Sequence, residues 1–297
     1  MDRVARAEPT SVSSRWGTLG LMTAATALIA ATSLLAKALG TGVGGPELHA
    51  LQVSAGRFLF GFAGLAPFLA MKWPGTDDLP LGLHVGRVAC GWSGGAFLFA
   101  ASARLPLGDA NAISFLAPVV TMSLSVVFLR ERVGSARWQA AAVSLAGALV
   151  LTAPGSSAFQ PAALLALGSA LLIGAELVFV KRLSGGEPAV RILAMSNGVG
   201  LLISVPIALL VWTGPGRWQW AMLALLGVCM LSAQVLFIHA NRRSDASYLA
   251  PIFYTASLFA AFYDFVFFDE PLRVNSAVGI GLIIAGAALL TWRGSAA

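Results

Sequence analysis

The chain has 297 residues, of which 58% are hydrophobic and only 11% are charged, and its formal net charge is +6. A soluble domain carries about 25% charged residues, so this composition excludes a fold whose whole surface faces water. The basic residues form no cluster on a soluble face, which argues against a nucleic-acid partner. The composition therefore predicts an all-α polytopic membrane protein.

Apolar runs that are long enough to cross a bilayer recur along nearly the whole sequence. The first run is too long and lacks the flanks of a cleaved signal peptide, so it counts as helix 1 and residues 1–16 are predicted to be a cytoplasmic tail. The loops leave no room for a separate soluble domain. The ten predicted transmembrane helices, numbered in chain order, are 17–39, 48–71, 80–103, 108–129, 136–153, 162–183, 189–213, 218–240, 247–268 and 274–292.

The positive charges at the ends of these helices predict the orientation of the chain. Counted from a cytoplasmic N-terminus, thirteen Lys and Arg residues fall on the inner side and three, at positions 104, 217 and 273, fall on the outer side. Under the positive-inside rule, this asymmetry predicts that both the N- and C-termini are cytoplasmic. The excess of basic residues is then explained by the orientation of the chain in the membrane.

Two halves of the chain repeat each other. Gly61 and Gly200, and likewise Cys90 and Cys229, are 139 residues apart, and "IAATSLLAK" at 29–37 aligns with "IGAELVFVK" at 173–181, 144 residues on. The phrases "SFLAPV" (114–119) and "SYLAPI" (247–252) are similar but six residues out of this register. The repeat predicts two units, 17–153 with helices 1–5 and 162–292 with helices 6–10.

An odd number of helices per unit makes the second unit enter the membrane from the opposite side. Glu131 is then on the inner side, and its repeat partner Glu270 is on the outer side. Inverted repeats of this kind build two half-shells around a central site in many secondary transporters. The repeat therefore predicts a carrier that exposes one site alternately to each face.

Two long stretches of the sequence, one in each repeat unit, resemble a known family. Residues 105–154, "LPLGDANAISFLAPVVTMSLSVVFLRERVGSARWQAAAVSLAGALVLTAP", look like the helix 4–5 signature of the EamA-type transporters of the drug/metabolite transporter superfamily, and 245–291 is similar to the second copy. The resemblance implies ten helices and transport of small metabolites across the bacterial inner membrane. Family substrates include amino acids, vitamins, nucleoside-like compounds and metal-chelating metabolites.

Ionisable residues inside lipid-embedded helices are costly and are therefore candidates for function. Glu176 in helix 6 has Thr32 as its repeat partner, so only one unit carries the acid. We predict that Glu176 either carries a proton during coupling or holds a cationic group of the substrate. The structural alternative is an ion pair with Lys181 at the end of the same helix.

Two further charged residues lie inside predicted helices. Arg57 in helix 2 is predicted to bind a substrate carboxylate or to close an internal ion pair. Asp264 in helix 9 stands where the family resemblance leads us to expect an apolar or small residue, and it is a candidate for substrate binding or coupling. The structural alternative is that Asp264, near the outer end of its helix, reaches the headgroups.

Aromatic and amide side chains are predicted to line the central cavity. Aromatic faces suit flat or cationic metabolites, although packing alone also explains aromatic residues in membrane cores. Buried amides bind a substrate or form interhelical hydrogen bonds. Pro118, read as the middle of helix 4, is predicted to bend that helix as a hinge. The predicted lining residues are Trp92 and Phe97 on helix 3, Phe115 on helix 4, Asn197 on helix 7, Gln234 on helix 8 and Tyr254 on helix 9.

The sequence also contains weak signals for two other classes of protein, a serine hydrolase and a channel. "GWSGG" at 91–95 fits a serine-hydrolase pattern, but Ser93 needs a base, and His84 and His239 are too distant along or across the helices. A channel would favour rings of like charge, which the Glu176/Thr32 asymmetry opposes. The sequence therefore predicts a protein that is not an enzyme, with an intramembrane hydrolase at Gly91–Gly95 as a remote alternative.

Taken together, the predicted function is a secondary transporter for a small polar organic metabolite, amino-acid-like or zwitterionic, with export favoured. The alternative is an uptake carrier for a vitamin or a nucleoside-like metabolite. No ATP-binding motif is present, so an ion gradient, with protons as the coupling ion, or exchange would supply the energy. Neither a cofactor nor a metal site is predicted, and the partners are the metabolite and the lipid bilayer.

Overall fold

The computed structural model describes residues 12–71, 75, 79–102, 113–152, 161–268 and 274–293. In these ranges the chain is helical and has no strand, and each predicted segment contains one main helix. The helices are α1 (Val12–Gly40), α2 (Ala50–Met71), α3 (Leu81–Ser102), α4 (Ala117–Phe128), α5 (Ser135–Thr152), α6 (Ala163–Ser184), α7 (Ala189–Leu209), α8 (Arg217–Arg243), α9 (Thr255–Phe268) and α10 (Val274–Arg293).

Several of these helices are suited to a bilayer. Six spans in the described residues are long and apolar enough to cross a membrane, and the apolar stretches Ala117–Phe128 and Val278–Leu289 are shorter. A helix satisfies its backbone N–H and C=O groups internally, which is the condition for lying in lipid. This architecture is the one expected of a polytopic membrane protein.

The helix bounds follow the sequence repeat. The first residues of α2 and α7 are 50 and 189, and those of α5 and α10 are 135 and 274, so each pair is offset by 139 residues. The contacts between α2 and α7 follow the repeat as well. Gly61 on α2 lies against Asn197 on α7. The equivalent glycine, Gly200 on α7, lies against Phe58 on α2. Positions 58 and 197 are themselves equivalent in the repeat, so α2 and α7 pack by the same residue positions from both sides.

The helices α5 and α10 meet through a second pair of equivalent glycines. A Cβ atom at Gly147 would lie 2.7 Å from the carbonyl oxygen of Gly279 and 2.8 Å from the backbone nitrogen of Ile283. Its repeat partner, Gly286, lies against Ser144 and the carbonyl oxygen of Ala140. Small residues of this kind let membrane helices approach backbone to backbone, and here they join the two units.

The loop after α4 is fixed to the segment that precedes α9. The Glu131 carboxylate accepts hydrogen bonds from the backbone N–H groups of Ala246 (2.9 Å) and Ser247 (3.0 Å). Arg137 forms an ion pair with Asp245, with 3.0 Å between Nη2 and Oδ2. A carboxylate at a helix N-terminus satisfies free N–H groups and complements the helix dipole, so Glu131 acts as a cap that connects the two units.

Helices 4 and 9 are less regular than predicted. Residues 115 and 116 form a turn, α4 begins at Ala117, and Pro118 therefore lies in its first turn and not in the middle of a helix. The predicted mid-helix position of Pro118 is therefore wrong. A proline is tolerated in the first turn of a helix, because the N–H group that it lacks would have no partner within the helix there. In the second unit, Pro251 lies in a 3₁₀ segment, Ala250–Tyr254, that follows the short helix Ala246–Leu249.

Candidate functional site

One cavity of about 210 Å³ is lined by residues of both repeat units. Its wall is formed by α1, α2 and α3 of the first unit and by α6, α7, α8 and the 3₁₀ segment of the second. The polar lining residues are Arg57, Arg87, Glu176, Ser196 and Gln234. The remaining wall is mostly aliphatic and aromatic, which is typical of a small-molecule site with a few placed polar groups.

An ion pair joins α3 and α6 at this cavity. Nε of Arg87 lies 3.9 Å from Oε1 of Glu176, and the Glu176 side chain is 29% exposed whereas the Arg87 side chain is 5% exposed. The Glu176 carboxyl group lies against Gly91, where a Cβ atom would be 2.7 Å from its carboxyl carbon. The missing side chain at Gly91 therefore makes room for the carboxylate.

Lys181, the alternative partner of Glu176, makes its contacts elsewhere. Nζ of Lys181 donates hydrogen bonds to the carbonyl oxygens of Asn241 and Ser244, at 2.5 Å each. The structural alternative, an ion pair of Glu176 with Lys181, is therefore wrong, and the partner of Glu176 is Arg87. The lysine instead fixes the C-terminal end of α6 to that of α8.

Arg57 lies on the α2 side of the cavity. Its guanidinium carbon is 4.3 Å from the centroid of the Phe58 ring, which is within the range of a cation–π contact. Its Nε atom is buried and has no hydrogen-bond partner among the described residues. Arg57, Arg87 and Glu176 thus place three charged groups from three helices on one cavity wall.

Two amides lie next to each other at the α7–α8 contact. Nδ2 of Asn197 donates to Oε1 of Gln234 (3.0 Å) and to the carbonyl oxygen of Leu193 (2.9 Å). Gln234 lines the cavity, whereas Asn197 is 1% exposed and is not part of its wall. Asn197 therefore orients Gln234, whose amide NH₂ group has no hydrogen-bond partner among the described residues.

Phe115 and Tyr254 pair with each other outside the cavity wall. The Tyr254 hydroxyl donates to the carbonyl oxygen of Phe115 at 2.7 Å, and the two rings meet edge to face with centroids 6.2 Å apart. They pack with Ala148 and Ile283 in an apolar cluster. In this arrangement the two residues act in packing, although both were predicted to line the cavity.

We expect Tyr254→Phe to lower the free energy of unfolding by about 1 kcal/mol, because it removes a buried hydrogen bond and leaves the ring in place. Thermal unfolding of the purified protein in detergent measures this change. Tyr263→Phe is the matched control, since the Tyr263 hydroxyl lies 3.4 Å from the carbonyl oxygen of Ala27 and forms a much weaker bond. Equal losses in the two variants would contradict the assigned role of Tyr254.

The structure also separates Phe97 from the site. Phe97 is 41% exposed, and its ring packs against Gly168 on α6. Asp264 belongs to α9, but its side chain lies outside the described residues, as does the whole of Glu270. Of the predicted site residues, Glu176, Arg57, Trp92 and Gln234 are the ones that line the cavity.

Arg87 was not identified from the sequence. It is an arginine inside an apolar helix, four residues before Gly91, and the same argument that selected Arg57 applies to it. Residues four apart lie on one helix face, so Arg87 and the glycine that accommodates Glu176 are neighbours. An arginine four residues before a glycine in an apolar helix is the sequence feature that could have identified Arg87.

The Gly91–Gly95 stretch lies within the continuous helix α3. The Ser93 hydroxyl donates to the carbonyl oxygen of Ala89 in the same helix. In the described part of the chain, no hydrogen bond joins Ser93 to a histidine.

Comparison with known proteins gives this geometry its context. The profile of the EamA-like transporter family matches residues 15–153 and 160–292, one copy on each repeat unit. The chain belongs to the EamA-like transporter family. It is accordingly a multi-pass membrane protein of a family of transporters.

Named relatives of this EamA-like chain transport different compounds. The pseudopaline exporter of Pseudomonas aeruginosa is 28% identical over 64% of this chain and 68% of its own length. The S-adenosylmethionine uptake transporter of Rickettsia bellii is 26% identical over 90% of both chains. The riboflavin transporter of Vibrio cholerae is 29% identical over 52% of both.

The fold of this EamA-like chain is also shared with a solved crystal structure. That structure matches with a TM-score of 0.77 and covers 91% of this chain and 94% of its own, at 21% identity. At this identity the likeness concerns the fold alone. The relatives together indicate transport of a small metabolite, and they differ in both compound and direction.

Proposed function

We propose that this protein is a secondary transporter that carries a small polar organic metabolite, amino-acid-like or zwitterionic, across the bacterial inner membrane by alternating access. The proposal includes ten membrane spans in two inverted units with both termini in the cytoplasm, and no enzymatic step. The observation that carries it is the cavity of about 210 Å³ shared by both units, with Arg57, Arg87 and Glu176 in its wall.

A departure from symmetry supports the alternating-access part of the proposal. On α8, Gly227 packs against α2, and a Cβ atom there would lie 2.5 Å from Cβ of Phe60. Its repeat partner on α3, Val88, lines the cavity instead. Two units with the same fold therefore adopt different arrangements, and exchanging these arrangements would move the opening from one face to the other.

Export is the direction that we propose, with proton coupling through Glu176. The pseudopaline exporter among the relatives supports export of a metabolite. The S-adenosylmethionine and riboflavin transporters support the alternative, an uptake carrier for a vitamin or a nucleoside-like compound.

Counterflow in proteoliposomes tests the proposal. Candidate substrates come from comparing the metabolites of medium and cells between a deletion strain and an overexpressing strain. We expect saturable uptake of the labelled compound that is accelerated by the unlabelled compound inside. A flux that neither saturates nor responds to internal compound would indicate a pore and contradict the carrier mechanism.

A further inference from the structure

The charged groups that line the cavity do not balance. Arg57 and Arg87 each carry a positive charge, because a guanidinium group stays protonated in proteins. Glu176, when ionised, supplies the single negative charge, and the other described lining residues are neutral. The net charge of this cluster is then +1.

The hydrogen-bonding capacity of the two arginines is also largely unused. A guanidinium group has five N–H donors. Among the described residues, the one hydrogen bond made by either group runs from Nη1 of Arg87 to the carbonyl oxygen of Ile192, at 3.4 Å. Both Nε atoms are buried without a hydrogen-bond partner.

The contact with Glu176 does not complete this site. Its Oε1 lies 3.9 Å from Nε of Arg87, which is an ion pair and too long for a hydrogen bond. A buried charge without good partners is strongly unfavourable, so the two arginines favour the binding of a further anionic group. Gln234 and Ser196 offer dipoles only and leave the excess positive charge in place.

We propose that the transported substrate carries one more negative than positive charge and that its carboxylate binds between Arg57 and Arg87. This inference rests on the proposed function for the transport step, and among the small polar metabolites of that proposal it favours a net anion over a zwitterion. The planar fork of each guanidinium matches a carboxylate, which can accept two parallel hydrogen bonds from it.

The rest of the cavity suits a small apolar body attached to that carboxylate. Trp92 on α3 and Phe253 in the 3₁₀ segment supply aromatic surface, and Ile173 on α6 supplies aliphatic surface. The volume of about 210 Å³ is below the roughly 300–1,000 Å³ typical of pockets for drug-sized ligands. The site therefore favours compact carboxylates.

Binding of an anion changes the electrostatics of the carrier. A monoanion brings the cluster to two positive and two negative charges, whereas a zwitterion leaves its excess charge at +1. The loaded site is then less costly to enclose between the helices than the empty one. We therefore expect exchange of substrate across the membrane to be faster than net flux.

A set of probes that share one ring and differ in charge tests the inference on the purified full-length protein. Benzoate is an anion, phenylglycine a zwitterion, benzamide neutral and benzylamine a cation. Titration calorimetry should show that benzoate binds about tenfold more tightly than phenylglycine, because the added ammonium meets an excess of positive charge. Benzamide and benzylamine should show no saturable binding.

Variants of the charged residues should shift benzoate affinity in opposite directions. Arg57→Gln should weaken binding about 30-fold, and Arg57→Lys, which keeps the charge but not the fork, about fivefold. Glu176→Gln should tighten binding about tenfold, because it removes the carboxylate that competes for Arg87. Arg217→Gln, an exposed arginine at the start of α8, is the control that should leave binding unchanged.

Each contrary result overturns the inference. These results are absent benzoate binding, tighter binding of phenylglycine or benzylamine, wild-type affinity in Arg57→Gln, or weaker benzoate binding in Glu176→Gln. Size-exclusion profiles test whether each variant is folded. If Arg57→Gln is not folded, the benzoate affinity of Arg57→Lys decides the result in its place. If benzoate binding depends on Arg57 while no metabolite shows counterflow, the proposed function fails and the anion site stands.

Discussion

Oxidation of a Gly56→Cys/Leu223→Cys variant to a disulfide is expected to stop transport completely. Gly56 lies on α2 of the first unit and Leu223 on α8 of the second, and a Cβ atom at Gly56 would be 3.5 Å from Cβ of Leu223. That distance is within the range that a disulfide requires. If the units separate between α2 and α8 in every cycle, the covalent link holds the protein in the arrangement described here.

Counterflow measured before oxidation, after oxidation and after reduction gives the result. Cys90 and Cys229 are free and are replaced by Ala beforehand, so that no other thiol reacts. The reduced variant and each single-cysteine variant should transport. A crosslinked protein that transports at the full rate would show that α2 and α8 stay together throughout the cycle, and the alternating-access proposal would then be wrong.

The second large effect concerns the contact between α5 and α10. Gly286→Leu should destabilise the protein by about 3 kcal/mol, because a Cβ atom there meets backbone that has no room to move. The obstructing atoms are the carbonyl oxygen of Ala140, at 2.9 Å, and the nitrogen of Ser144, at 3.0 Å. Thermal unfolding in detergent, followed by size exclusion, measures the loss.

Gly281→Leu is the matched control on the same helix, because a Cβ atom at Gly281 meets nothing within 4 Å. Both substitutions gain about 1 kcal/mol of helix propensity. The difference between the free energies of unfolding of the two variants therefore measures the effect of packing at Gly286. Equal unfolding midpoints for the two variants would show that α5 and α10 are not in close contact at Gly286.

The helices themselves were predictable because lipid leaves a chain few alternatives to internal hydrogen bonding. Irregular backbone was not predictable, as Pro118 shows: the turn at residues 115–116 depends on how α4 packs, which apolar composition does not encode. The similarity of "SFLAPV" and "SYLAPI" is explained by this feature, because both phrases stand at irregular helix starts.

The candidate site was predictable where a residue was out of place in lipid. Glu176, Arg57 and Gln234 are polar groups in apolar helices, and the structure places all three in one cavity wall. Phe115 and Tyr254 carry no such signal, because an aromatic ring fits a packed core as well as a cavity. The pairing of Glu176 with Arg87 needed the fold, since it depends on which faces of α3 and α6 meet.

The charged residues occupy one member of each pair of equivalent positions. Arg57 corresponds to Ser196, and Glu176 to Thr32. The two end states of the proposed cycle are then unequal in energy, although the two units share one fold. The half-saturating substrate concentration should therefore differ between the two membrane faces. In the proposed proton-coupled cycle, the proton gradient sets the final concentration ratio of the substrate. The asymmetry between the two faces therefore changes the transport kinetics on each side and leaves that ratio unchanged.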